Sequence, residues 1–160
     1  MSAAHNAGIV SIGYQGRSVQ ELVEECVTAG VTVVADVGLT PLSRKPGLSK
    51  SKLGATLETA GIGYVHLPSL GNPRDNRESF GSATDRERGR SRFRSLLHLD
   101  GPAKALSYLA ELAQTERVAL LCFERDALQC HRQVLTEELS ARDPPWQSRC
   151  TPSVCLVISR

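Results

Sequence analysis

The sequence predicts an α/β fold: a three-layer open sheet, mostly parallel, with helices on both faces. Four short runs, Ile9 to Tyr14, Val31 to Val37, Ile62 to Leu67 and Val118 to Phe123, are mostly apolar and carry β-branched residues. Continuous apolar runs of this length are expected of strands covered on both sides. Stretches with apolar residues at helical spacing separate them. Strands alternating with helices at such intervals specify parallel pairing through right-handed crossovers.

Taken in order, Ile9 to Tyr14 closes on Gly16 and reads as a strand entering a loop. Ser18 with Glu21 three residues on has capping-box spacing, and Leu22, Val23, Cys26 and Val27 then recur at helical intervals up to Ala29 and Gly30. Val31 to Val37 is a central strand with Asp36 at its C-terminal end. Gly38 to Ser49 holds Pro41, Pro46 and Gly47 and no hydrophobic period, so it is a loop. Ser51 is the expected cap of the next helix, which places Leu53 and Leu57 on one face and stops at Gly61. Ile62 to Leu67 makes a third strand, followed by turn chemistry at Gly71, Asn72 and Pro73.

The segment 74–92 is polar, charged and poor in large apolar residues, and is expected to be an exposed, mobile insertion. Helical spacing returns at Phe93, Leu96 and Leu97, and again from Pro102 through Leu106, Leu109 and Leu112. Val118 to Phe123 is the fourth strand, and Cys130 to Ala141 an amphipathic helix with Val134, Leu135 and Leu139 inward. Beyond Pro144 and Pro145, Ser153 to Ile158 reads as a last, edge-type strand. The 160 residues are expected to form one domain with its core at about 9–141.

Composition narrows the functional classes. No apolar run approaches the roughly 18 residues of a membrane helix, and no apolar h-region follows a basic start, so a soluble, cytoplasmic protein is expected. Five cysteines at irregular spacing argue for reduced thiols rather than a disulfide framework. A net charge of +2 demands neither nucleic acid nor membrane as partner. Seven arginines against four acids between Arg74 and Arg94 concentrate a local +3 in one segment. Dinucleotide and P-loop signatures are absent.

In a parallel sheet the functional loops follow the strand C-termini. This gathers Tyr14 to Arg17, Asp36 to Arg44, His66 to Arg77 and Glu124 to Arg132 on one edge. The same segments carry a family resemblance: Ile12 Gly13 Tyr14 with Arg17; Asp36 Val37 through Pro41, Ser43 Arg44 and Pro46 Gly47; Tyr64 Val65 His66 Leu67 with Leu70 Gly71 Asn72 Pro73; and Leu121 Cys122 Phe123 Glu124 to Cys130 His131 Arg132. In these motifs, over nearly its whole length, the chain resembles the family catalogued as domain of unknown function 488. The family has no generally established activity, so the resemblance implies a fold and a site edge rather than a reaction. Two departures stand out. Members read Asp-Val-Arg after the second strand, where this chain has Gly38, and an aromatic residue is usual at Leu48.

On that edge the candidate catalytic groups are Asp36, Glu124, Cys130 and His131. The carboxylates beyond the strand ends suit general base work. Cys130 stands at a helix start beside His131 and Arg132, where the macrodipole and positive charge favour a thiolate. Its bland alternative is a half-buried thiol filling the strand–helix junction. Cys122, inside an apolar strand, reads as structural. The expected substrate-binding groups are Tyr14, Arg17, Arg44, His66, Asn72 and Arg132, the three arginines converging as a bidentate anion site or else knitting the loops to Asp36 and Glu124. No cofactor is expected. Cys122, Cys130, His131, Cys150 and Cys155 lack the spacing of common structural zinc sites, and a divalent metal stays open.

Two functions follow. One is a small enzyme binding an anionic, phosphate-bearing substrate, such as a nucleotide or nucleic-acid component. The alternative is a module that binds a ligand or nucleic acid without chemistry, with the arginine-rich segment and Phe80 or Phe93 as contacts. Thiol redox chemistry at Cys130 ranks third, for want of a C-x-x-C partner. Oligomeric state is not encoded in any motif.

Overall fold

The computed structural model describes residues 7–39 and 49–142. Arg44, Leu48, Cys150, Cys155 and the expected strand Ser153 to Ile158 lie outside the described residues. Within them the strands are β1 (Gly8–Gly13), β2 (Val33–Asp36), β3 (Gly63–His66) and β4 (Arg117–Cys122). The α-helices are α1 (Val19–Thr28), α2 (Lys50–Thr59), α3 (Arg74–Gly81), α4 (Arg86–Leu96), α5 (Asp100–Leu112) and α6 (Arg132–Ser140), with 3-10 turns at Pro68–Leu70 and Ala127–Gln129. No helix among the described residues is long and apolar enough to cross a membrane.

All strand pairs are parallel, in the order β1-β4-β2-β3. The chain moves one way across the sheet from β1 to β3 and back to insert β4 at the centre. With crossovers of one hand, opposite directions put helices on opposite faces. The core divides accordingly. Val10, Ile12, Val34, Ala119 and Leu121 pack with Leu22, Cys26, Leu53 and Leu57 of α1 and α2. Ile9, Ala35, Val118 and Leu120 pack with Phe80, Phe93, Leu106, Leu109, Val134 and Leu135 of α3 to α6. Alternate residues of each strand thus feed alternate layers, as strand geometry requires.

Local signals explain the helix starts, with adjustments. The Ser18 hydroxyl accepts from Glu21 N–H at 3.1 Å and the Glu21 carboxylate accepts from Ser18 N–H at 2.7 Å, a complete capping box. The second helix begins earlier than expected, with Ser49 rather than Ser51 at the N-cap. The last helix begins at Arg132, not Cys130, because Cys130 keeps an extended backbone after the 3-10 turn and His131 takes the N-cap position.

The segment 74–92 is largely exposed as expected, but it is corrected from a mobile insertion to helices: it forms α3 and most of α4, packed on each other with Asn76, Phe80 and Gly89 buried and Phe93 buried next to them. Its inward face is partly polar, which hid it from a hydrophobic period. The Asn76 side chain donates to the Gly89 carbonyl and to Asn72 Oδ1, both at 2.9 Å. A Cβ at Gly89 would come within 2.7 Å of Ser79 Cβ, so the close approach of the two helices needs glycine there.

Candidate active site

The C-terminal ends of β1, β2 and β4, with the segment after β3, enclose a cleft of about 300 Å³. The ladder runs slightly past the strands: Tyr14 N–H donates to the Cys122 carbonyl at 3.2 Å and Val37 N–H to the Leu121 carbonyl at 3.0 Å. Tyr14, Cys122 and the β2 end are thereby set side by side. Gly13 lies so close beneath the next loop that a Cβ would strike the Glu124 carbonyl and come within 2.7 Å of Arg125 Cα. The cleft is lined by Tyr14 after β1; Asp36, Gly38 and Leu39 around the β2 end; Asn72, Arg77 and Phe80 after β3; and Cys122, Phe123, Glu124, Gln129, Cys130 and His131 around the β4 end.

At its floor lies a sulfur–imidazole pair. His131 Nε2–H donates to the Val37 carbonyl at 2.9 Å. Because a carbonyl can only accept, this bond assigns the proton to Nε2 and turns Nδ1 toward Cys130 Sγ, 3.5 Å away. Phe93 holds the ring edge-on, with centroids 5.2 Å apart. Arg132 Nε–H donates to Cys130 Sγ at 3.3 Å, and its terminal nitrogen donates to the Glu124 carbonyl. Cys122 Sγ stands 3.4 Å from Glu124 Oε2, to which its thiol donates.

These contacts separate the two thiols electrostatically. Burial pushes the Cys130 thiol up, but the Cys122 thiol, His131 and the Arg132 charge together hold it well below the usual thiol range. Cys122 is held well above that range by its hydrogen bond to Cys130, by burial and by the charges of Cys130 and Glu124. For His131 burial opposes the charged ring, and the Cys130 charge and hydrogen bond with the Val37 carbonyl outweigh it, so the imidazole is raised. Glu124 is raised by burial first and then by the Cys130 charge.

The opposite wall holds a second polar group. Tyr64 O–H donates to Asp36 Oδ2 at 2.7 Å and Gly38 N–H to Oδ1 at 3.0 Å. Burial nevertheless raises the Asp36 carboxyl above its ordinary value against both bonds. Tyr14, edge-on to Phe123 at 5.5 Å, is pushed up to about 12 by burial and by the nearby Cys122, Asp36 and Glu124 charges. At the rim Arg77 Nε–H donates to the Asn72 carbonyl at 3.3 Å.

Of the ten residues singled out from sequence, Tyr14, Asp36, Asn72, Glu124, Cys130 and His131 meet in this cleft. Of the three expected anion-binding arginines, Arg44 lies outside the described residues, while Arg17 and Arg132 are neighbours, burial together with the Arg125 and Arg132 charges lowering the Arg17 guanidinium. Arg17 pairs with Glu25 of α1, and Arg132, 1% exposed, is turned inward onto Cys130 and Glu124. Neither lines the cleft. His66 stands behind it, its Nε2 at 2.9 Å from the Gly38 carbonyl. Arg77 and Cys122 line the cleft instead. Arg77 stands at the end of the His66 to Arg77 segment expected on this edge, but nothing in its spacing marked it as a binding group. Cys122 stands in the Leu121 to Glu124 motif of the family resemblance but reads as structural from its apolar strand, and the eight-residue step to Cys130 matches no thiol motif.

Cys122 Sγ, Cys130 Sγ and a His131 ring nitrogen lie within 4.8 Å of one another, a donor set able to hold a soft cation. Arg132 already brings a positive charge to Cys130, and the imidazole faces the same sulfur. This arrangement suits a thiolate balanced by the chain's own cations.

Residues 18–139 match the family model described as domain of unknown function DUF488. The chain belongs to this family. No curated protein and no solved structure matches it. Gly38, where the family resemblance calls for arginine, lines the cleft of this DUF488 domain, so the departure falls inside the candidate site.

Proposed function

We propose that this DUF488 protein is a small cytoplasmic enzyme that attacks an anionic substrate with the Cys130 thiolate at the C-terminal edge of its sheet. The observation that carries this is the placement of Cys130: its sulfur receives the Arg132 N–H and faces His131 Nδ1 while lining the cleft. In this reading His131 takes the thiol proton at Nδ1. Its bond to Val37 holds the ring in register for that step. Arg77 at the rim holds the substrate's phosphate or carboxylate. Glu124, raised by burial, keeps a proton to higher pH than a free carboxyl and can give it to a leaving group.

The cleft volume is at the low end of small-molecule sites, which favours a compact ligand such as a mononucleotide or smaller over a nucleic-acid strand. The arginines of α4 point the same way. Arg90 and Arg94 pair with Glu137 at 2.5 and 3.0 Å, and Arg92 with Asp75 at 2.7 Å, which spends their charge within the fold. Gly38 favours a second reading, a ligand-binding module without turnover, because it contributes no cationic side chain to the wall.

Alkylation of Cys130 by iodoacetamide, followed by peptide mass spectrometry across pH, tests the nucleophile. The expected result is labelling at neutral pH roughly ten-fold faster than that of an ordinary thiol, whose pKa is about 8.5. Labelling of Cys130 only in the alkaline range of free cysteine would overturn the assignment. A thermal-shift screen with phosphate, nucleotides and acidic metabolites, repeated on Arg77→Ala, tests the anion site. A shift that disappears in the variant supports it, and saturable binding without any turnover selects the binding module.

A further inference from the structure

We propose that Cys130 and Cys122 form a two-electron redox pair that reduces a hydroperoxide and closes to an intrachain disulfide. This rests on the reading of Cys130 as a nucleophile and adds a substrate class and a second sulfur to that site. Both sulfurs line the same cleft and lie, with a His131 nitrogen, within 4.8 Å of one another. Their surroundings differ in the sense such a pair requires. Cys130 is supplied with a donor, the Arg132 Nε–H at 3.3 Å, and with the imidazole. Cys122 faces an acceptor, Glu124 Oε2 at 3.4 Å. One sulfur is thus prepared to be the attacking thiolate, and the other to keep its proton until a carboxylate takes it. The third described cysteine, Cys26, is fully buried in the opposite core layer among Leu22, Val34 and Leu57.

The chemistry balances with the hydroperoxide as oxidant. The Cys130 thiolate attacks the distal oxygen; the S–O bond forms, the O–O bond breaks, and the leaving hydroxide takes the proton held on Glu124 to become water. Cys122, giving its proton to the Glu124 carboxylate left by that step, then attacks the sulfenic sulfur. The S–S bond forms, the S–O bond breaks, and the departing hydroxide collects the proton held on His131 as a second water. Two thiols are oxidised by two electrons while the peroxide is reduced to two waters, or to water and an alcohol for an alkyl hydroperoxide. Closure to a bond of about 2.05 Å requires the side chains to turn toward each other.

The test uses the full chain, reduced, freed of reductant and treated with equimolar hydrogen peroxide, then mapped by non-reducing peptide mass spectrometry. The expected product is a Cys122–Cys130 disulfide, with Cys26 unmodified. In Cys122→Ser, Cys130 is expected to accumulate as sulfenic acid that dimedone traps. Oxidation of wild-type Cys130 to sulfinic acid without a disulfide, or disulfides involving other cysteines at equal yield, would overturn the pair. So would protection of both thiols that a chelator abolishes, which would reassign the cluster to a bound metal. Iodoacetamide labelling on the same sample separates the two proposals. Fast labelling of Cys130 without disulfide formation removes only the redox pair, whereas slow labelling removes the nucleophile with it.

Discussion

At the scale of single residues, the site is a set of side chains whose charge states are decided by neighbours from other loops. His131 shows how this works. Its Nε2 bond to a backbone carbonyl leaves Nδ1 a single role toward Cys130, and Phe93 prevents the ring from turning away. Asp36 shows the opposite balance, a carboxyl with two donors that burial still raises. The sign of its linkage follows. A group whose folded pKa exceeds its unfolded value of about 3.9 adds stability in full below that value and loses it as pH rises through the folded pKa. Asp36→Asn is therefore expected to raise the melting temperature relative to wild type above that window and to leave the two alike in acid. The gain should be on the order of 1 kcal/mol for each unit by which the carboxyl is displaced. Melting curves between acid and mildly alkaline pH check this, and a variant less stable than wild type at every pH would show that the carboxylate's hydrogen bonds outweigh its burial.

At the scale of elements, α3 and α4 position the Asn72, Arg77 and Phe80 side of the cleft. Asn72 is tied to Asn76, Asn76 to the Gly89 carbonyl, and Arg77 to Asn72, so the rim proposed to bind the anion depends on how closely the two helices approach. The outer face of α4 adds charge pairs to α6, where Arg90 and then Arg94 hold the Glu137 carboxyl below its ordinary value against the effect of burial. Gly89→Val forces the helices apart at Ser79 and is expected to cost about 2 kcal/mol of stability, in the range of overpacked sites. It should also weaken the anion-dependent thermal shift and, because Phe93 on the same helix packs edge-on against His131, slow Cys130 alkylation with it. Loss of the thermal shift with alkylation unchanged would show that Phe93 keeps its place when the helices part.

At the scale of the whole molecule, the insertion of β4 between β1 and β2 brings the Cys122–Glu124 end of the strand between Tyr14 and Asp36. The site stands at the end of this central strand, which is buried along its whole length. Leu120→Ala, at a fully buried position of β4, is expected to lower unfolding free energy by about 3 kcal/mol in denaturant titrations. Where the variant remains folded, its Cys130 labelling rate should match wild type, since the sulfur's partners are untouched. A rate that falls in step with stability would mean that labelling samples an opened state rather than the native cleft.

Much of this was legible along the chain. Periodicity placed the four strands and most of the helices, the Ser18–Glu21 spacing announced a capping box, and the rule that parallel sheets bind at strand C-termini located the edge where Tyr14, Asp36, Asn72, Glu124, Cys130 and His131 meet. These are local or periodic signals, readable because a strand or helix buries a face set by its own repeat. Tertiary structure alone decided which side chains from different loops touch. It turned Arg17 to Glu25 and Arg132 to Cys130, brought Arg77 to the rim, and folded the 3-10 turn so that Cys122 and Cys130 became neighbours. It also packed the arginine-rich segment through a glycine and an asparagine, a polar contact that leaves no hydrophobic period. The difference is physical: secondary structure follows from burial patterns repeated along a segment, whereas pairing of distant side chains depends on sheet order and helix packing that no spacing in the chain records.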